Sequence, residues 1–202
     1  MTDEPKKRGR PPAYDPDRAL SGARDVFWQT GYAASSLDEL SAAMAMNRPS
    51  VYGAFGDKEA LYLKTLERYR DDSLGALHAA LDPTRPLREG LATVYAKSIE
   101  IYLGGPAARG CFLIGTATVE AVGSAAVRDV LRDSLRAFER VIADRLKLAK
   151  RSGELGARAD PAALALVASA IMHSLAVRAR AGDKRPTLEA LAQAGIDLIC
   201  SQ

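Results

Sequence analysis

Apolar residues recur along the chain three and four positions apart, and no stretch alternates apolar and polar residues long enough to read as a strand. Leu20, Ala23 and Phe27, flanked by Ala19 and Val26, form an inward stripe. Its start is well marked: Asp15 can cap it, Pro16 suits the first helical position, and Asp17 favours the positive end of the helix dipole. Gly31 supplies the stop. A second start stands at "SSLDEL", where Ser36 and Glu39 have capping-box spacing and Leu37, Leu40 and Met44 make the buried face of a short helix. Asn47 can cap a third short helix through Phe55, with Val51 and Phe55 four apart on its inner side. Two short helices joined by a tight turn make a helix-turn-helix candidate.

After Gly56, Asp57 can cap a longer helix from Lys58 towards Leu81, which Pro83 and Pro86 end. Further helices are predicted over Leu87 to Leu103, Cys111 to Val122, Ala125 to Arg151, Pro161 to Ala181 capped by Asp160, and Leu188 to Ser201 capped by Thr187. The expected fold is all-α, with about nine helices, a three-helix helix-turn-helix unit first and a larger helical unit after it. The division is residues 1–14 as a basic arm, 15–63 as the helix-turn-helix unit and 64–202 as the larger one.

Composition narrows this only a little. With 48% apolar and 26% charged residues in 202, the chain can bury a core without disulfides or metal. Cys111 and Cys200 lie far apart, without the spacing of a zinc site, and a reduced compartment fits. No apolar run approaches the roughly 20 residues of a bilayer span, and the N-terminus lacks the apolar core of a secretory signal, so no membrane partner and a cytoplasmic location are expected. The net charge of +3 is a weak pointer to an anionic partner, because residues 1–58 hold eight Lys and Arg against eight Asp and Glu. What matters is where the charges sit. "KKRGRPP", Lys6 to Pro12, gathers four of them.

Residues 17–63, "DRALSGARDVFWQTGYAASSLDELSAAMAMNRPSVYGAFGDKEALYL", resemble the DNA-binding domain of the tetracycline-repressor-like (TetR) family of bacterial transcriptional regulators. An aromatic-ended first helix precedes "TGY", followed by "SSLDELSAAM" and "NRPSVYGAFGDKEAL" at the family's spacing. The resemblance implies that Ser36, Ser50, Tyr52 and Lys58 meet the DNA backbone while Arg48, Pro49 and Gly53 lie nearest the bases. The chemistry agrees, since an arginine at the start of a recognition helix can offer a forked donor to guanine. Two positions depart from the pattern. Gly53 and Ala54 are smaller than usual, and Ala45 stands at a turn position usually held by glycine.

Arg8-Gly9-Arg10-Pro11 is similar to the core of an AT-hook, whose arginines lie in a narrow minor groove. A solvated tail fits the same residues. Their place just before a helix-turn-helix favours Arg8 and Arg10 as groove contacts.

Beyond residue 65 the resemblance lies in layout, although "GCFLIGTATVEA", 110–121, is similar to a segment in one broad subset of these regulators. The family architecture implies a homodimer on a palindromic operator, released by a small-molecule effector. Pocket candidates are Tyr95, Ile99, Tyr102, Phe112, Thr116, Phe138, Met172 and His173, which mix apolar walls with a few hydrogen-bonding groups. Dimer candidates are Leu164, Val167, Ile171 and Leu175 on one late helix and Leu188, Leu191 and Leu198 on the next. Each also reads as intrachain core. Cys111 stands near a helix N-terminus, a place that can activate a thiol, though an inert buried thiol fits better.

No cofactor, catalytic residue or metal site is indicated: the sequence holds no Gly-rich phosphate loop or HExxH, and only His78 and His173 as histidines. The alternatives are a minor-groove architectural protein, resting on the arm alone, and an all-α ligand carrier or enzyme.

Overall fold

The computed structural model describes residues 14–105 and 107–202, and in them the chain is helical throughout. The helices are α1 (Pro16–Thr30), α2 (Leu37–Ala43), α3 (Arg48–Phe55), α4 (Lys58–Ala80) and α5 (Leu87–Leu103), then α6 (Thr118–Glu120), α7 (Ala125–Ser152), α8 (Pro161–Arg180) and α9 (Arg185–Cys200). Local chemistry sets the early boundaries. Asp15 accepts from the N–H groups of Asp17 and Arg18, Ser36 and Glu39 close a reciprocal capping box, and Asn47 accepts from Ser50 N–H. Phe27, Leu40, Val51 and Phe55 bury the inner faces of these first helices, each contributing roughly 1.5–3 kcal/mol.

Helix α4 runs through both halves. Leu61, Tyr62 and Leu66 pack under α1, and the later turns pack on α5 and α7. Helices α5, α7, α8 and α9 enclose the second core.

Three features depart from the sequence pattern. The helix expected over Cys111 to Val122 is wound as a π-helix at Leu113–Ala117 before α6. Thr116 and Thr118 hydroxyls donate to the carbonyls of Phe112 and Ile114, each at 2.8 Å, competing with the backbone for the i−4 acceptors. Helix α9 starts at Arg185, not Leu188, because Pro186 fits its first turn, so Thr187 lies inside the helix and caps nothing. Helix α8, at 20 residues with an 18-residue window of mean hydropathy 1.6, is long and apolar enough to cross a membrane, against the expectation that no such run exists. Here it packs on α5, α7 and α9 through Ala165, Ala168, Leu175 and Ala179.

Ala45, in the turn between α2 and α3, has φ +52, the left-handed region. That conformation costs a non-glycine residue roughly 1–2 kcal/mol, of which glycine's extra chain entropy would return about 0.5–1. Ala45→Gly is therefore expected to raise the melting temperature, by about 0.5–1 kcal/mol in stability. A thermal melt checks it, and a lower Tm would mean the turn is unstrained.

Candidate nucleic-acid interface and ligand cavity

Helix α3 buries Val51 and Phe55 and turns Arg48, Pro49, Ser50, Tyr52 and Gly53 outward. Tyr52 is 48% exposed, more open than a packing aromatic. A Cβ on Gly53 would meet nothing within 4 Å, so the backbone there is bare to an approaching partner. Arg48 is already engaged: its Nε donates to Asp38 Oδ1 at 2.7 Å and its Nη2 stands 2.5 Å from Oδ2. The pair aims the guanidinium from α3 back to α2, and Arg48 holds the Asp38 carboxyl below its ordinary pKa. A guanine contact must use the remaining Nη1 edge or displace Asp38.

Two other sequence candidates have local partners. The Ser36 hydroxyl both donates to Glu39 Oε2 at 2.8 Å and accepts from Glu39 N–H. Lys58, half-buried, donates through Nζ to the Ser35 carbonyl at 2.5 Å and lies 4.7 Å from the Tyr32 ring centroid. Arg8 and Arg10 lie outside the described residues.

Charge around this face is not favourable to DNA. Residues 14–58 hold four Lys and Arg against six Asp and Glu, so their positive charge acts only through its placement.

The second core contains a cavity of about 80 Å³ lined by Tyr69, Leu77, Ser98, Tyr102, Cys111, Phe138, Met172 and His173, with Lys97 at its edge. Burial lowers the His173 pKa, keeping the ring neutral, and raises the Cys111 thiol, whose Sγ lies 3.6 Å from Tyr69 Oη. Tyr102, Phe138, Met172 and His173 were candidates from the sequence. Tyr95, Ile99, Phe112 and Thr116 do not line the cavity, because each packs inward elsewhere. Tyr95 donates to the Ala168 carbonyl, Thr116 accepts from Tyr62 Oη at 2.7 Å, and Phe112 meets Tyr62 and Tyr69 edge-on and Trp28 at a tilt. Tyr69 carried no signal in the sequence: it lies on a helix whose apolar face reads as ordinary core.

Among the dimer candidates, Leu175 and Leu188 are fully buried within the chain, and Ile171 packs against Gly195, joining α8 to α9. Leu164, Val167 and Leu191 are half-buried. Leu198 is exposed, as is Leu166, which the helical stripe chosen from the sequence passed over. Among the described residues no group of three or more His, Cys, Asp or Glu gathers as a metal site would.

A capped helix-turn-helix followed by a larger helical unit is the layout of a DNA-binding regulator. Residues 19–65 match the family model "Bacterial regulatory proteins, tetR family", and residues 88–194 match "Tetracyclin repressor-like, C-terminal domain". The chain is 31% identical over 179 residues to the transcriptional repressor ComR of Escherichia coli, covering 88% of this chain and 85% of that one. It is 32% identical over 106 residues to the repressor BdcR of the same organism, covering 52% and 54%. Among solved structures, a cysteine-substituted CifR, a TetR family regulator bound to double-stranded operator DNA, superposes with a TM-score of 0.83 at 32% identity, covering 93% of this chain and 98% of that one. The protein belongs to the TetR family and is a DNA-binding transcriptional regulator, not an enzyme.

Proposed function

We propose that this chain is a cytoplasmic homodimeric repressor that occupies a palindromic operator and is released by a small-molecule effector. The observation that carries the reading is the outward face of α3, with Arg48 at its first turn, bare backbone at Gly53 and an exposed Tyr52. Similarity to ComR and to operator-bound CifR supports it. Residues 15–63 read the DNA, the arm of residues 1–14 adds minor-groove contacts through Arg8 and Arg10, and residues 64–202 hold the effector and the dimer face. One helix-turn-helix makes too few base contacts for useful specificity, and a two-fold dimer doubles them. Leu166 and Leu198, exposed on α8 and α9, supply apolar surface for that contact. The cavity beside Tyr69, Tyr102 and neutral His173 suits a small, mostly apolar effector, which releases DNA by preferring the conformation that does not bind it.

Site selection from a random DNA pool should return a palindrome with half-sites one helical turn apart. Arg48→Ala should lower the preference for that site about 5–150-fold, the equivalent of 1–3 kcal/mol for a bidentate base contact. Lys58→Ala should weaken all sequences alike and flatten the salt dependence. Unchanged preference in Arg48→Ala would overturn the assignment of α3 as the reading helix; A·T-rich sites without dyad symmetry would favour an architectural protein.

A further inference from the structure

A groove of about 400 Å³ lies between the 110–115 segment and the C-terminal turns of α8, sharing Cys111 and Ile114 with the lining of the cavity. Its walls are apolar, with Ile114, Val119 and Val177, and two arginines border it. Val119 and Val177 are more than half exposed. Arg180 makes no ion pair or side-chain hydrogen bond among the described residues, whereas Arg178 on the same turn is paired with Asp183 at 3.1 Å. Its Nη1 lies 2.6 Å from where a Cβ on Gly115 would stand, so the absent side chain at Gly115 is what lets the guanidinium lie there. Arg109 is anchored on one side only. Its guanidinium lies 3.9 Å from the Trp28 ring centroid and its Nη1 bonds Asp25 at 3.2 Å, while its Nε is buried without a partner. The Trp28 indole N–H in turn donates to the Arg109 carbonyl at 3.1 Å.

An apolar groove bordered by two arginines, the Arg180 guanidinium unpaired among the described residues and the Arg109 guanidinium held only by Trp28 and Asp25, suits an acceptor carried on an apolar body. We propose that this groove is a second ligand site, distinct from the Tyr69 cavity, which takes a carboxylate carried on a short apolar chain. The carboxylate bonds Arg180 and draws Arg109 from Asp25. Because Asp25 and Trp28 belong to α1, occupancy alters how the first helix is held against the second core. The site goes beyond the effector reading above; only its consequence for DNA rests on that reading.

Trp28 is the single tryptophan of the chain, and Arg109 lies on its ring, so its emission reports a displacement of Arg109. Titrating the full-length protein with sodium octanoate at constant ionic strength should change Trp28 emission saturably. The apparent affinity should fall at least tenfold in Arg180→Gln and in Gly115→Ala, which displaces the Arg180 head group, while the thermal melts of both variants stay close to wild type. Sodium phosphate should leave the emission unchanged. No change with octanoate, equal titrations in wild type and both variants, or an equal response to phosphate would each overturn the proposal, the second by placing the ligand in the other cavity. The titration contains no DNA, so its failure leaves the regulator reading standing, and a failed site selection leaves this chemistry untouched.

Discussion

Glu154→Ala is expected to lower the stability of the protein by about 3 kcal/mol at neutral pH, the low end of what breaking a buried ion pair costs. The residue it abandons is Arg145, whose side chain is only 4% exposed. Arg145 Nη2 donates to the Arg85 carbonyl at 2.8 Å and to Glu154 Oε1 at 2.9 Å, and its Nε is buried with no partner at all. Removing the carboxylate strands a buried cation that already lacks one hydrogen bond. The same carboxylate caps a helix: Oε2 accepts from Leu87 N–H at the start of α5, where Pro86 provides no side-chain cap. Truncating Arg145 should cost less, because Glu154 keeps 31% of its side chain in water.

Titration follows from the same contacts. Burial alone would raise the Glu154 pKa, but the Leu87 N–H and the Arg145 guanidinium outweigh it and hold the carboxyl below its ordinary 4.5. A depressed folded-state pKa adds stability above the unfolded value and loses it as the pH falls through the folded one. The gap between wild type and Glu154→Ala should therefore be full at pH 7 and narrow progressively below 4.5. Denaturant unfolding at several pH values measures it. A variant within 1 kcal/mol of wild type, or a gap that does not depend on pH, would remove Glu154 from this role.

Residues 145, 154 and 87 meet across spacings of 9 and 67, which is why periodicity along the chain does not reveal them. What was legible in the sequence is what local chemistry decides. Asp15, Ser36 with Glu39, Asn47 and Asp57 all cap the helices their spacing predicts, because a cap needs only the next three residues. Ala45 was legible only through the resemblance, which puts glycine at that turn, and its φ of +52 shows the strain. The outward face of α3 was legible as a row of residues, whereas the Asp38 partner of Arg48 was not, since the pairing depends on how α2 and α3 cross. Which residues line the cavity depends on helix face. Tyr102 and Tyr95 share α5 and look alike in sequence, yet one lines the cavity and the other bonds α8, and only the packed positions of α7 and α8 separate them. The joint made by Trp28, Asp25 and Arg109 spans more than 80 residues and left no trace in the pattern.

Gly22→Ala is the second change expected to have a large effect, and it tests how firmly the reading helices are placed. A Cβ on Gly22 would stand 2.3 Å from the Ala43 carbonyl oxygen, 2.8 Å from its carbon and 3.3 Å from Met44 N. All three atoms are backbone at the end of α2, so no rotamer relieves the clash and α1 and α2 must separate. Overpacking of this kind costs roughly 1–3 kcal/mol. The consequence for DNA should be larger than for stability, because α2 carries Asp38, which orients Arg48, and leads through the strained Ala45 turn into α3. Moving α2 shifts the donor edge that must meet a base within hydrogen-bond range, so site-specific affinity should fall at least tenfold while non-specific binding, carried by phosphate contacts, changes little. Gly75→Ala is the matched control: a Cβ there meets nothing within 4 Å, and in the interior of α4 it should add up to about 1 kcal/mol of stability. If Gly22→Ala bound its operator as wild type does, α1 would not set the position of α2.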